Sequence, residues 1–364
     1  MINEYISVSF ICLLCLVAVF SNAQELSDPE KNFEYLWKEF DRRYALFLPK
    51  RIDWNLLYRV YRPKVTPQTS DDELFEIMSK MLTRLNDLHV RLDSKNPPRS
   101  FRSGKSHEAV LQQFGTVENF IRYFKERPID KKYVKTELHE RHENIFAYTW
   151  LTDDIGYFHF SKFSGVEKSS EIVDEIVDYF KNAKGLIIDV RRNGGGDDKV
   201  GKVIADRFAD EKRLYMTIQA KSGPGHGDFA EPVRWYVEPD GPIQFTNPII
   251  LLTDFTSGSA AENFALAMRV LPHATIVGDF TAGCFADAEA DKLPNGWYFS
   301  LSINMFKDQN GICWEGIGVP PDLRIVNTKE DVDNCRDRVL EFAVELINSG
   351  ARGGQKKKEN GSNS

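Results

Sequence analysis

Residues 253–268 read TDFTSGSAAENFALAM, and they follow directly on the apolar run PIILLT at 248–253. The run has the length and branched composition of a buried strand, and the Ala-rich stretch after the polar turn is made of strong helix formers. A strand, a tight turn and a helix in that order form the repeating unit of an α/β domain. Ser259 stands at the mouth of this helix, between Gly258 and Ala260. Serine is a preferred N-cap, which is one reading of its presence. The other reading is chemical. Free backbone N–H groups and the positive end of the helix dipole favour negative charge at that spot, as acyl transfer requires beside its nucleophile.

Outward from this unit, the pattern from residue 154 onward alternates strands and helices. Strands are expected at 156–160, 185–190, 213–219, 230–237 and 274–278, with helices at 169–181 and from 197 to 209. A longer strand is expected over 296–306, where Trp297, Phe299, Leu301 and Ile303 alternate, followed by a hairpin turn at DQNG 308–311. The prediction is an α/β domain of mixed sheet and helices spanning 148–328, with a C-terminal helix at 329–349 and a disordered Gly/Ser/Lys tail at 350–364. Residues 24–93 predict a module of three helices, at 28–46, 53–61 and 69–85. The third opens on a capping box at Ser70 and Glu73. Between the two lies a linker region, 94–147. It reads as a loop at 94–112, an amphipathic helix at 117–126 and strands within 132–151, too short to hold an inserted peptide-binding domain.

Composition narrows the class. The 364 residues carry a net charge of −7 with basic residues interspersed among acidic ones, which argues against a nucleic-acid partner. The apolar run at 7–20, closed by Ser21-Asn-Ala23, predicts a signal peptide cut after Ala23. It is short for a membrane span, so a secreted or periplasmic protein without a stable span is expected. The three cysteines beyond it, Cys284, Cys313 and Cys335, are too few for a disulfide framework. No CxxC or HExxH spacing is present, so no metal or other cofactor is expected.

Two further stretches carry chemistry. Asn193-Gly194-Gly195-Gly196 lies between a strand and a helix, where glycines let the backbone approach a ligand and point N–H groups at it. A phosphate loop is excluded by the missing GxxxxGK[ST] and by Asp197 and Asp198. Half of an oxyanion hole fits, the other half coming from the N–H of Ala260; a plain tight turn is the alternative. His89 ends the third helix in NDLHV, a place where histidine serves either as a structural hydrogen-bonder or as a base.

Taken together, KGLIIDVRRNGGG (184–196), TSGSAAE (256–262), IVGD (276–279), GIGVPPD (316–322) and LNDLHV (85–90) resemble, in order, the segments of the C-terminal processing (tail-specific) serine peptidases. That family includes a tricorn-core-like branch and the interphotoreceptor retinoid-binding protein. The resemblance implies a ClpP/crotonase-type α/β fold and a nucleophile at Ser259. The tail-specific branch pairs its serine with a lysine from a Gly-Lys pair, but here the matching pair is Gly283-Cys284. The tricorn-like branch uses a histidine base and a late glutamate, which places those roles on His89 and Glu315. Where the tricorn core has a serine before its histidine, this chain has Leu88. The expected oxyanion donors are Ala260 and Gly195, or Gly194 or Gly196 in its place. The expected activity is a serine endopeptidase acting on peptides or unfolded, exported proteins. The rival is a catalytically weak carrier of apolar ligands on the same fold. A lipase or esterase is disfavoured, because the GxSxG elbow would need glycine where Ser257 and Ala261 stand.

Overall fold

The computed structural model describes residues 26–104, 114–116, 119–120, 129 and 131–350. The expected signal peptide, the helix over 117–126 and the tail beyond 350 lie largely or wholly outside them.

The N-terminal helices form where their apolar stripes predict. Helix α1 (Asp28–Arg43) buries Phe33, Leu36 and Phe40, α2 (Trp54–Tyr61) is capped by Asp53, and α3 (Asp71–Leu82) starts on the Ser70/Glu73 capping box. The chain then turns sharply at Asn86, in left-handed conformation, and enters β1 (Arg91–Lys95). The loop expected from 94 begins instead as a hairpin, with β2 (Pro98–Arg102) pairing antiparallel to β1. The other neighbour of β1, the strand at 298–302, lies far away in sequence, where no local pattern could announce it.

The main sheet has seven strands. Around its centre run β5 (Ile155–Phe160), β6 (Gly185–Asp189), β9 (Ile249–Thr253), β10 (Ala274–Gly278) and the short β14 (Leu323–Arg324), all parallel. They are extended by antiparallel β4 (Phe146–Trp150) and β3 (His139–Arg141). Both faces are covered, as parallel strands require. Helices α4 (Val166–Tyr179), α5 (Asp198–Asp206) and α6 (Ala260–Arg269) bury one face; α8 (Arg338–Ser349) buries the other. Helix α6 is buried along its whole length, which explains why it is made of Ala, Leu, Phe and Met rather than of an amphipathic repeat.

The expected strand over 296–306 is two strands. β12 (Tyr298–Ser302) belongs to a four-stranded sheet in the order β11 (Ala288–Lys292), β12, β1, β2. β13 (Asn304–Asp308) belongs to a three-stranded sheet with β7 (Arg213–Ala220) and β8 (Val233–Val237). The break falls at Ile303, whose N–H donates to Asp287 and whose carbonyl accepts from Lys221, so the chain crosses from one sheet to the other there. The DQNG turn closes on Asp308, but no strand follows it, because the Asp308 carboxylate collects the Asn310 and Ile312 N–H groups and the Trp314 indole. The expected C-terminal helix is likewise split, into α7 (Lys329–Asp333) and α8, because buried Asp337 caps α8 and binds the Arg191 guanidinium through both oxygens.

The four-stranded sheet matters most for function. β1 pairs with β12 in the register Arg91↔Ser300, Leu92↔Phe299 and Asp93↔Tyr298. α1 and α3 pack on the same sheet in a shared core with Trp297, Phe299 and Leu301. The segment just before β1, which holds His89, is thereby carried to the segment before β11, which holds Cys284.

Candidate active site

The parallel strands β6 and β9 end side by side, and the turns leaving their carboxyl ends meet. Open α/β sheets place their ligand sites at such ends. The turn after β9 is tied down by side chains. Asp254 Oδ1 accepts from the N–H and hydroxyl of Thr256, and the Ser257 hydroxyl donates to the Val190 carbonyl at 2.8 Å. The Gly258 N–H donates to the Asn193 carbonyl, which joins this turn to the glycine loop.

Ser259 has φ 54° and ψ −123°, a conformation that costs a non-glycine residue about 1–3 kcal/mol. Ser259 also forms a capping box with Glu262 at the start of α6, so the N-cap reading stands beside the chemical one. Its N–H donates to the Cys284 carbonyl at 3.0 Å and to Glu262 Oε2 at 3.2 Å.

The glycine loop lies against this turn. A Cβ on Gly195 would sit 2.7 Å from the Gly258 carbonyl oxygen, 2.7 Å from Ser259 Cβ and 2.9 Å from the Ala260 nitrogen. Gly195 itself donates its N–H to Asn193 Oδ1 at 2.9 Å. The N–H groups of Gly194, Gly196 and Ala260 make no hydrogen bond among the described residues.

His89 is held by its backbone. Its N–H donates to Asp87 Oδ1, and its carbonyl accepts from the Ser300 hydroxyl at 2.6 Å. Asp87 is in turn clamped by the hydroxyls of Tyr44 and Ser302. The imidazole Nε2 lies 3.2 Å from Cys284 Sγ; Nδ1 is buried and has no partner among the described residues. Burial pulls the His89 pKa below its usual value, so the ring is neutral at neutral pH. The Cys284 thiol is pushed far up by burial and by the neighbouring Glu315, Glu262 and Asp87, so it remains protonated and inert.

The structure thus brings Ser259 and His89 to two sides of one residue, Cys284, with no direct bond between them. Glu315 stands behind. Its Oε2 accepts the N–H groups of Phe285 at 2.8 Å and Ala286 at 3.0 Å, while its buried Oε1 is unpartnered among the described residues. Burial and the nearby Asp87 push its carboxyl well above the usual range. It does not bond to His89.

One residue that sequence reasoning quoted but gave no role is central. The Glu262 carboxylate is fully buried and receives four donors: the Thr281 hydroxyl at 2.5 Å and the N–H groups of Gly283 at 2.7 Å, Cys284 at 2.6 Å and Ser259 at 3.2 Å. It fastens the serine turn to the 281–284 segment. Burial raises its pKa to about 7, opposed by those same donors. Its position three residues past the serine, one helical turn inside α6, was the available signal. Asp87 in NDLH was equally quoted and equally unassigned. All three cysteines among the described residues are free thiols, and no cluster of potential metal ligands is present among those residues.

Residues 154–325 match the model of peptidase family S41, and residues 27–83 match that of the tricorn protease C1 domain. A putative peptidase from Parabacteroides merdae, solved by crystallography, is 33% identical with a TM-score of 0.76, over 88% of this chain and 97% of that one. This chain belongs to peptidase family S41. Among curated relatives, the tricorn protease of Thermoplasma volcanium is 26% identical over 247 residues, which is 67% of this chain and 22% of that protein. The carboxy-terminal processing protease CtpA of Bacillus subtilis is 24% identical over 181 residues, 49% of this chain and 36% of that protein. The chain thus spans well under half the length of these two relatives.

Proposed function

We propose that this chain is a serine endopeptidase in which Ser259 is the nucleophile and His89 the general base. The observation that carries the reading is the strained Ser259 at the N-terminus of α6, packed against the glycine loop, with Cys284 in contact with both its backbone and the His89 imidazole. Ser259 Oγ attacks the peptide carbonyl as its proton passes to His89 Nε2, which exchanges its Cys284 contact for the serine. The tetrahedral oxyanion forms beside the free N–H of Ala260. Gly194 or Gly196 supplies the second donor, since the Gly195 N–H is already bound to Asn193. His89 then protonates the leaving amine, and water releases the acyl group by the same route in reverse. Glu315 acts as a positioning residue through the backbone of Phe285 and Ala286, beside Cys284.

Unfolded or flexible peptide segments of exported proteins are the proposed substrates, supported by the apolar leader-like run at 7–20. No helix among the described residues is long and apolar enough to cross a membrane. The test is labelling of the full chain by a fluorophosphonate probe together with cleavage of an unstructured peptide. Both should be lost in Ser259→Ala with the fold retained; cleavage that survives this change would sink the assignment. A carrier of apolar ligands would show neither reaction in the native chain.

A further inference from the structure

Asp87 lies two residues before His89, just past the left-handed Asn86 and ahead of β1. It is 0% exposed, and no ion pair reaches it among the described residues; two hydroxyls and an amide serve it instead. Oδ1 accepts the His89 N–H at 2.9 Å. Oδ2 accepts the Tyr44 hydroxyl at 2.9 Å and the Ser302 hydroxyl at 2.8 Å. The three donors come from three parts of the chain: the residue that closes α1, the last residue of β12 and the peptide group of the proposed base. A carboxylate buried without a counter-ion is costly to fold, and buried ionic groups are weak sources of stability. Its place here points to a task other than holding the fold.

The surroundings of the imidazole show what that task is. Glu315 makes no bond to His89; its bonded oxygen serves Phe285 and Ala286. Burial favours the neutral ring. Among the charges around it Asp87 acts most strongly and favours the cation, helped by Asp287, while Arg102 and Lys50 favour the neutral form. Cys284, at Nε2, is an uncharged thiol. The turn is also pinned from its other side, where Lys50 Nζ donates to the Leu85 and Asn86 carbonyls at 3.0 and 2.8 Å. His89 therefore enters the site on a backbone fixed at both sides, with a negative charge two residues away. A general base becomes cationic as it takes the proton of its nucleophile, and a nearby carboxylate stabilises that cation.

We propose that Asp87 is the positioning residue of the base: it fixes His89 through the backbone and stabilises the imidazolium that forms when Ser259 gives up its proton, with Tyr44 of the N-terminal module holding it in place. This role rests on the reading of His89 as general base, and the test keeps the two apart. In the full chain labelled with 15N-histidine, the His89 ring signal is identified by its loss in His89→Gln, and its titration midpoint is followed by NMR. Asp87→Asn keeps the shape and removes the charge, so the midpoint should fall by roughly half a pH unit or more. In the same variant kcat should drop at least about tenfold with KM within about twofold of native, and the acid limb of kcat/KM should move down with the ring. Asp287→Asn removes an exposed charge; it should move the midpoint less and leave kcat near native. A midpoint and an acid limb that stay native in Asp87→Asn, or that move as far in Asp287→Asn, overturn the role, because a merely structural carboxylate would lower activity without displacing either. Where Asp87→Asn does not fold, Tyr44→Phe and Ser302→Ala decide. Each takes one donor from Asp87, and each should lower kcat about threefold or more at unchanged KM; native kcat in both overturns the role. Cleavage that survives His89→Gln overturns the base reading, whereas the NMR midpoint needs no turnover and still upholds or overturns the link between Asp87 and the ring.

Discussion

Gly195→Ala tests the geometry of the site more sharply than removal of the serine does. Gly195 has φ +102°, where an L-residue is strained by about 1–2 kcal/mol. The added methyl would meet two backbone atoms, the Gly258 carbonyl oxygen at 2.7 Å and the Ala260 nitrogen at 2.9 Å, as well as Ser259 Cβ at 2.7 Å. Neither backbone atom can swing aside, so overpacking adds about 1–3 kcal/mol. The combined cost of about 2–5 kcal/mol is relieved only if the glycine loop moves away from the serine turn. Such a shift separates the two halves of the proposed oxyanion hole, and losing one donor costs about 10²–10³ in rate. Gly194→Ala is the internal control, because a Cβ there meets nothing within 4 Å and its φ is not positive. Guanidinium midpoints and kcat/KM on an unstructured peptide, measured for both variants, should show Gly195→Ala impaired in each and Gly194→Ala close to native in each. If Gly195→Ala keeps native kcat/KM, or if Gly194→Ala is equally damaging, the loop does not form part of the site in the way described.

The remaining predictions follow from the same contacts. Because burial lowers the His89 pKa, its neutral base form persists below pH 6.5; the acid limb of kcat/KM should have its midpoint under that value, and a midpoint above 7 would exclude His89 as the base. The sign for stability agrees: His89's contribution is complete above pH 6.5 and is lost as pH falls through its lower folded pKa. Cys284→Ala removes an inert thiol from His89 Nε2, so fluorophosphonate labelling of Ser259 should stay within about tenfold of native, whereas abolition would point to the cysteine as the nucleophile. Asp337→Ala removes a carboxylate from the buried Arg191 guanidinium and uncaps α8; chemical denaturation should show a loss of about 3–5 kcal/mol, and a loss under 1 kcal/mol would mean the pair is not a strut of the fold.

What the sequence alone determined is everything set by local periodicity and by short-range turn chemistry. The three N-terminal helices, the strand–turn–helix unit around Ser259, β10 and the glycine loop could be read because their apolar spacing, caps and glycines act within a few residues. The ordered motifs also pointed to the family. Tertiary structure decided the rest, through contacts between residues far apart in the chain. The partition of 296–306 between two sheets depends on partners roughly 80 to 210 positions away, β7 for one part and β1 for the other. The break at Asp337 depends on Arg191 in the same way. So does the arrangement of the site. Only the pairing of β1 with β12 brings His89 near Ser259, 170 positions further on, and only folding shows Cys284 lying between them. The commitment of the Gly195 N–H to Asn193, and the gathering of four donors on Glu262, likewise exist only in three dimensions. A buried carboxylate is stabilised by whichever donors the fold assembles around it, and no periodicity in the chain records which those will be.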